Sequence, residues 1–260
     1  MSDNYFSAPR WQRVVLPVLG VIALIAGWHY LATYVVANPT LMPAPMSVFK
    51  NVAAWAGQGW FETHFVATVI ATLVGLLIGA SLGFLFGIVV SEVETLYRVF
   101  HPIVQALQAM PVVAIAPLVI VWFGIGLASK IALVAIGTFF VMFIHTVAGM
   151  RSVSSELVDM AKAFGGGRWR IVFLVKIKSA LDYVFSGLEV CAALSFILCV
   201  VGEFLAAKAG IGYYLRAASY DIDATAMFSA VFVLALLATL LAFAVRVLHH
   251  RLVFWKYSKQ

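Results

Sequence analysis

Six stretches of this chain, near residues 14–37, 65–90, 99–122, 131–150, 181–205 and 225–248, stay apolar for about twenty residues or more. At 1.5 Å rise per residue, a helix needs ~20 residues to cross a hydrocarbon core, and its backbone polar groups are then satisfied internally. The runs predict an all-α integral membrane protein of about six transmembrane helices, with both termini on one side. Composition agrees, since only 11% of the 260 residues are charged where soluble proteins carry about 25%. The first run follows Arg10 and Arg13 as a secretory signal would, but it outlasts the ~7–15 residues of a signal core. It is read as a retained span, and residues 1–260 as one transmembrane domain with a cytoplasmic N-terminal segment, 1–13.

Orientation follows from the cations, because Lys and Arg accumulate in short cytoplasmic loops. With the N-terminus in the cytoplasm, Arg10, Arg13, Arg98, Arg151, Lys162, Arg168, Arg170, Lys176, Lys178, Arg246, Arg251, Lys256 and Lys259 fall inside. Only Lys50, Lys130, Lys208 and Arg216 fall outside. The net charge of +6 is therefore a topology signal, and nucleic acid is not an expected partner.

One long interval is too charged for lipid yet patterned enough to fold. From Ser154 onward, Leu157, Met160, Ala161 and Phe164 recur at helical spacing, with Ser154 or Ser155 as N-cap and Glu156 and Asp159 near the positive end of the helix dipole. Gly165-Gly166-Gly167 ends this helix, because consecutive glycines admit positive φ and make further helix costly. A basic and aromatic segment then begins at Arg168-Trp169-Arg170. By physics alone the interval is either a solvated loop that fixes topology or a docking element for a soluble partner.

The residues of this interval resemble a known signature. Asp159-Met160-Ala161, then Gly165, then Val175-Lys176-Ile177-Lys178 is similar to the Glu-Ala-Ala motif of ABC importer permeases, in which Gly follows after three residues and Ile-x-Leu-Pro after nine more. Asp159 stands for Glu, Met160 for Ala and Lys178 for the motif's Pro. The nitrate, taurine and aliphatic-sulfonate branch is also resembled at Leu41-Met42-Pro43-Ala44-Pro45, Pro111 to Gly126, Thr146 to Arg151, Gly202-Glu203 and Gly210-Ile211-Gly212.

The resemblance implies a type I ABC importer permease-like fold with a cytoplasmic coupling helix between spans four and five, in segment 154–178. Contact with the ATPase is then expected from Asp159, Ala161, Phe164, Gly165, Arg168 and Trp169. A second copy of the chain, ATP-binding cassette subunits that bind ATP and Mg, and an external substrate-binding protein are the implied partners, in a bacterial cytoplasmic membrane. The implied function is a permease subunit for a small solute, anions included, with no enzymatic activity and no cofactor of its own. A secondary transporter or channel is the rival reading, for which the deep ionisable residues are few.

The spans carry further signals. Gly75, Gly79, Gly83 and Gly87 recur every four residues, a small-residue face on which another helix backbone can approach closely. Pro111 and Pro117 interrupt the third span and should kink it. Gln105, Gln108, Pro111, Thr138, His145 and Glu189 are candidate pathway residues, with interhelical hydrogen bonding as their alternative use. Glu203 reads as interfacial at the outer end of the fifth span. After the helix breakers Pro43-Ala44-Pro45, the pattern Met46-Val48-Phe49-Val52-Ala53-Trp55 suggests a short amphipathic helix at the outer interface, whereas 206–224 reads as an outer loop resembling the family's external gate region.

Other chemistries lack their residues. Cys191 and Cys199 lie ~12 Å apart along one helix, beyond disulfide reach. His249-His250-Arg251 has no second ligand pair at zinc spacing and reads as a membrane-surface tail. A phosphate-cradling Gly-x4-Gly-Lys-Ser/Thr loop is absent from the sequence.

Overall fold

The fold, taken from a computed structural model, is described for residues 12–57 and 59–253, with the side chains of 12–14 left aside. Arg10, the Arg13 side chain, and Lys256 and Lys259 lie outside the described residues. Ten helices follow in order. They are α1 (Gln12–Tyr30, continued by a π-helical turn, Leu31–Val35), α2 (Pro45–Trp55), α3 (Phe61–Glu92), α4 (Glu94–Ala109), α5 (Val112–Phe123), α6 (Leu127–Arg151), α7 (Ser155–Ala163), α8 (Arg168–Ala206), α9 (Ile211–Tyr220) and α10 (Ala224–Leu252). Five are long and apolar enough to cross a membrane, and the bent pair α4–α5 brings the number to six.

The bend is local chemistry. Met110 is extended, with ψ 136°, as the residue before a proline tends to be, and Pro111 then serves as N-cap of α5. The two helices meet at 96°. Pro117 does not add the second interruption expected of it: it lies inside α5, as Pro102 lies inside α4. A further difference is α9, a ten-residue helix within the stretch 206–224 for which the sequence predicts a loop. Gly210, at φ 128°, turns the chain into it, and Ile222, at φ 55°, turns the chain out. Asp223 then caps α10, its Oδ1 accepting from the amide of Ala226 at 2.9 Å.

The core lies between α3, α6 and α8, with α10 packed on α8. Gly75, Gly79, Gly83 and Gly87 of α3 all face α6, and the contact is backbone to backbone: a Cβ on Gly79 would sit 2.2 Å from the carbonyl oxygen of Ala135. α8 runs unbroken for 39 residues, roughly 58 Å at the helical rise, so it extends past a hydrocarbon core of ~30 Å.

The bundle has two distinct ends. One, the basic end, holds the C-termini of α3 and α6, the start of α8 and the whole of α7. Here Lys176 pairs with Glu92 at 2.6 Å, and Arg151 pairs with Glu94 at 3.1 Å while lying 3.7 Å above the Tyr97 ring. The opposite, aromatic end holds α2, α9 and the starts of α3 and α10. Trp55 and Trp60 stack there at 3.9 Å, with Tyr214 edge-on to both. α1 is held to the body near Trp28, whose indole N–H donates to the carbonyl of Pro43 at 3.1 Å and whose ring stacks on Phe228.

Candidate functional site

At the basic end, α7 projects from the bundle on a defined turn. Ser154 is its N-cap, with Oγ accepting from the amide of Leu157 at 3.4 Å, and Asp159 pairs with Lys162 at 2.9 Å. The helix stops in a Schellman turn: Gly166 N–H donates to Ala161 O and Gly165 N–H to Lys162 O, both at 2.9 Å. Gly165 supplies the left-handed residue, at φ 77°, with open space around the position of a Cβ. Gly166 is needed for a different reason. A Cβ there would lie 2.6 Å from Ala161 O and 3.2 Å from Ile171.

No residue of α7 is buried. Its apolar face points outward, with Met160 54% and Phe164 84% exposed, and Trp169 just beyond the turn 69% exposed. Ala161 is half-buried and faces α8 across a cleft of about 250 Å³, lined also by Phe164, Gly166, Arg170, Ile171 and Leu174. The turn is anchored behind: Arg168 donates through Nη2 to Glu92 O at 2.9 Å, tying the start of α8 to the end of α3.

The candidate pathway residues do not converge. Gln105, Gln108 and Pro111 are exposed along α4 and its bend. Thr138 is fully buried, its hydroxyl donating to Val134 O of its own helix at 2.8 Å, in the seam opposite Gly79. It lines no open surface of this chain. His145 is half-buried, its ring beside Gly187 of α8. Glu189 lies between α8 and α10, 3.5 Å from Arg246 and 3.7 Å from His249.

His249 corrects the reading of the C-terminal histidines as a surface tail. Its side chain is buried, stacked on Phe185 at 4.9 Å, with Nε2 3.2 Å from Asp182 Oδ1. Asp182 was not singled out by sequence, although an aspartate facing a basic C-terminal turn is a readable pairing. Among the described residues, no group of three or more His, Cys, Asp or Glu is arranged to hold a metal ion.

Lys130 and Glu203 are the larger omission. Read as an outer-loop cation and an interfacial carboxylate, they are instead 4% and 0% exposed, paired at 3.2 Å. The Glu203 carboxylate also lies 2.9 Å from Thr68 Oγ1 and accepts from the amide of Gly212 at 2.8 Å. Lys130 Nζ donates further to Ala209 O at 3.1 Å. Four helices, α3, α6, α8 and α9, thus meet at one ion pair.

Comparison with known proteins agrees with this architecture. Residues 75–254 match the family described as binding-protein-dependent transport system inner membrane component. The riboflavin transport system permease protein RibX of Chloroflexus aurantiacus is 33% identical over 249 residues, which cover 96% of this chain and 92% of the relative. The taurine transport system permease protein TauC of Escherichia coli is 27% identical over 254 residues, covering 95% and 92%. Among solved structures, an inward-facing conformation of the MetNI methionine ABC transporter matches 76% of this chain and 96% of its own, with a TM-score of 0.61 at 21% identity, a likeness of fold alone. The chain is therefore an ABC importer permease and belongs to the family of binding-protein-dependent transport system inner membrane components.

Proposed function

We propose that this chain forms, with a second copy, the pathway of an ATP-driven importer, and that α7 is the element through which a separate ATP-binding subunit moves it. The observation that carries the reading is the outward apolar face of α7. Met160, Phe164 and Trp169 are exposed on a segment too charged to be covered by lipid, and an exposed apolar cluster outside the membrane marks a protein contact. Phe164 enters a cleft of the ATPase, and Asp159, Ala161, Gly165 and Arg168 fix the angle at which it does so. Because the turn is tied to Glu92 through Arg168 and Lys176, displacement of α7 pulls on α3 and α8 together. ATP and Mg are bound by the partner, and the permease itself carries no catalytic residue.

The basic end faces the cytoplasm of a bacterial inner membrane, with both chain termini on that side, as the positive-inside rule requires of Arg98, Arg151, Arg168, Arg170 and Lys178. The aromatic end then receives an external substrate-binding protein. The exposed flank of α4 with Gln105, Gln108 and Pro111 lines the shared pathway. Relatives are named for riboflavin, formylaminopyrimidine, taurine and aliphatic sulfonates; the solute here is of that size class, small and in part polar or anionic.

The test is Gly165→Val in the reconstituted complex. The substitution touches no span, but a β-branched residue at φ 77° is strained. Insertion should be normal, with loss of ATPase retention and of transport-stimulated hydrolysis. Wild-type values for both would make this segment an ordinary solvated loop.

A further inference from the structure

The ion pair at the aromatic end is not explained by stability. Replacing two buried charges with apolar side chains of equal volume is often neutral or stabilising, because desolvation offsets their attraction. A buried pair differs from an apolar contact in how it opens. Charges that part into water regain hydration, whereas apolar surfaces that part gain nothing. Such a contact suits a joint that must separate repeatedly.

Lys130 and Glu203 occupy such a joint. Residues 207–210 break the helical path between α8 and α9, and each helix caps the other across the break. Glu203 of α8 accepts from Gly212 N–H in the first turn of α9, while Arg216 of α9 donates to Phe204 O at 2.7 Å at the end of α8. A Cβ on Gly210 would lie 2.0 Å from Glu203 Oε1, and one on Gly212 would lie 2.9 Å from Glu203 Cβ. Both glycines leave room for the carboxylate beneath the turn. Polar ties from this turn to α3 and α6 include Thr68, whose Oγ1 accepts from Ile211 N–H at 2.8 Å, His64, whose Nδ1 accepts from Gly210 N–H at 3.3 Å, and Lys130, while Tyr214 of α9 packs on Trp55 and Trp60. A cavity of about 420 Å³, lined by Ile70, Gly126, Leu127, Lys130, Ala207 and Lys208, reaches the Lys130 side of the pair.

We infer that Lys130 and Glu203 form an ionic latch that holds the α9 turn against α3 and α6 and releases it in one state of the transport cycle. The inference rests on the import function proposed above. Both are positioning residues: they act through α9 and need not touch the solute.

Cys199 provides a native reporter. It is fully buried one turn before Glu203, with Sγ 3.7 Å from Thr68 O, and with Cys191→Ala it is the chain's remaining thiol. Its modification by a small cationic methanethiosulfonate is followed by mass spectrometry of this chain in the reconstituted complex, nucleotide-free and vanadate-trapped. The latch requires the rate to differ at least tenfold between the two states. Lys130→Met should be fast in both, since an uncompensated carboxylate favours water. Lys130→Met with Glu203→Gln should be slow in both, because the neutral amide still accepts from Gly212 and needs no counter-charge.

Equal slow labelling of the parent in both states overturns the latch, as does a parent-like contrast in either variant. If Lys130→Met does not assemble, the double variant decides alone, and its failure to assemble would reduce the pair to a folding requirement. ATP hydrolysis is measured in parallel. A complex that does not hydrolyse ATP overturns the import reading and the latch with it; hydrolysis with unchanged Cys199 labelling overturns the latch alone.

Discussion

Gly79→Ala places a single methyl group in the tightest part of the α3–α6 seam. The added Cβ would stand 2.2 Å from Ala135 O, 2.2 Å from Thr138 Oγ1 and 2.8 Å from Ala135 Cα, against 3.4 Å or more for ordinary contact. Two of these atoms are backbone, and the Thr138 hydroxyl is committed to Val134 O at 2.8 Å, so rotamer change offers little relief. α6 must retreat by roughly 1 Å, a gap at which atom pairs forfeit about a quarter to a half of their dispersion energy. Gly75, Gly83 and Gly87 meet α6 at similarly short range, so the loss spreads along the helix. We expect about 1–3 kcal/mol of destabilisation, the usual cost of an overpacked methyl, and more for Gly79→Leu. Gly20→Ala is the control, since nothing lies within 4 Å of its Cβ. The assay is thermal loss of monodisperse complex in detergent, with transport measured on the assembled fraction. Gly79→Ala should fall well below Gly20→Ala in stability while its surviving fraction keeps its solute preference. Equal stability of the two variants would refute the close-packing argument.

At the α7 turn, Gly166→Ala should uncouple ATP hydrolysis at least as strongly as Gly165→Ala, because the first meets Ala161 O at 2.6 Å whereas the second meets only the left-handed backbone penalty of ~1–2 kcal/mol; hydrolysis with and without the external binding protein reads this. Glu189→Gln should change thermal stability by no more than about 1 kcal/mol, since Arg246, the nearer of its two partners, is 60% exposed and that pair is correspondingly screened, while His249 keeps Asp182 at 3.2 Å. Complete loss of transport with stability intact would instead put Glu189 in the pathway.

The parts of this fold that sequence made legible are those for which lipid leaves one solution. Apolar length gave the spans, and the four-residue spacing of Gly75 to Gly87 gave a close-packing face, which in the structure lies against α6. Helix ends were harder, because hydropathy reports the solvent and not the hydrogen bonding. α8 begins at Arg168, more than ten residues before the apolar run that was read as its span, since basic side chains continue a helix into water without breaking it. α9 was missed because Gly210 and Gly212 are turn residues by type, while their use here is to admit a carboxylate from another helix.

The polar interior was illegible for a related reason: each group was judged beside its chain neighbours and not at its depth. Lys130 lies three residues after the start of α6, and Glu203 three residues before the end of α8. At 1.5 Å per residue each is ~4.5 Å inside its helix terminus. The two termini lie at the same end of the bundle, so the charges share one level although 73 residues separate them in sequence. An unpaired charge at that level costs several kcal/mol, and among the described residues Lys130 and Glu203 are the buried group of each sign there. Where α8 passes the C-terminal part of α10, Glu189 and Asp182 likewise meet Arg246 and His249. In a membrane bundle the depth of a charge therefore constrains its partner more than its sequence neighbours do, and it does so because the solvent that would otherwise satisfy that charge is missing.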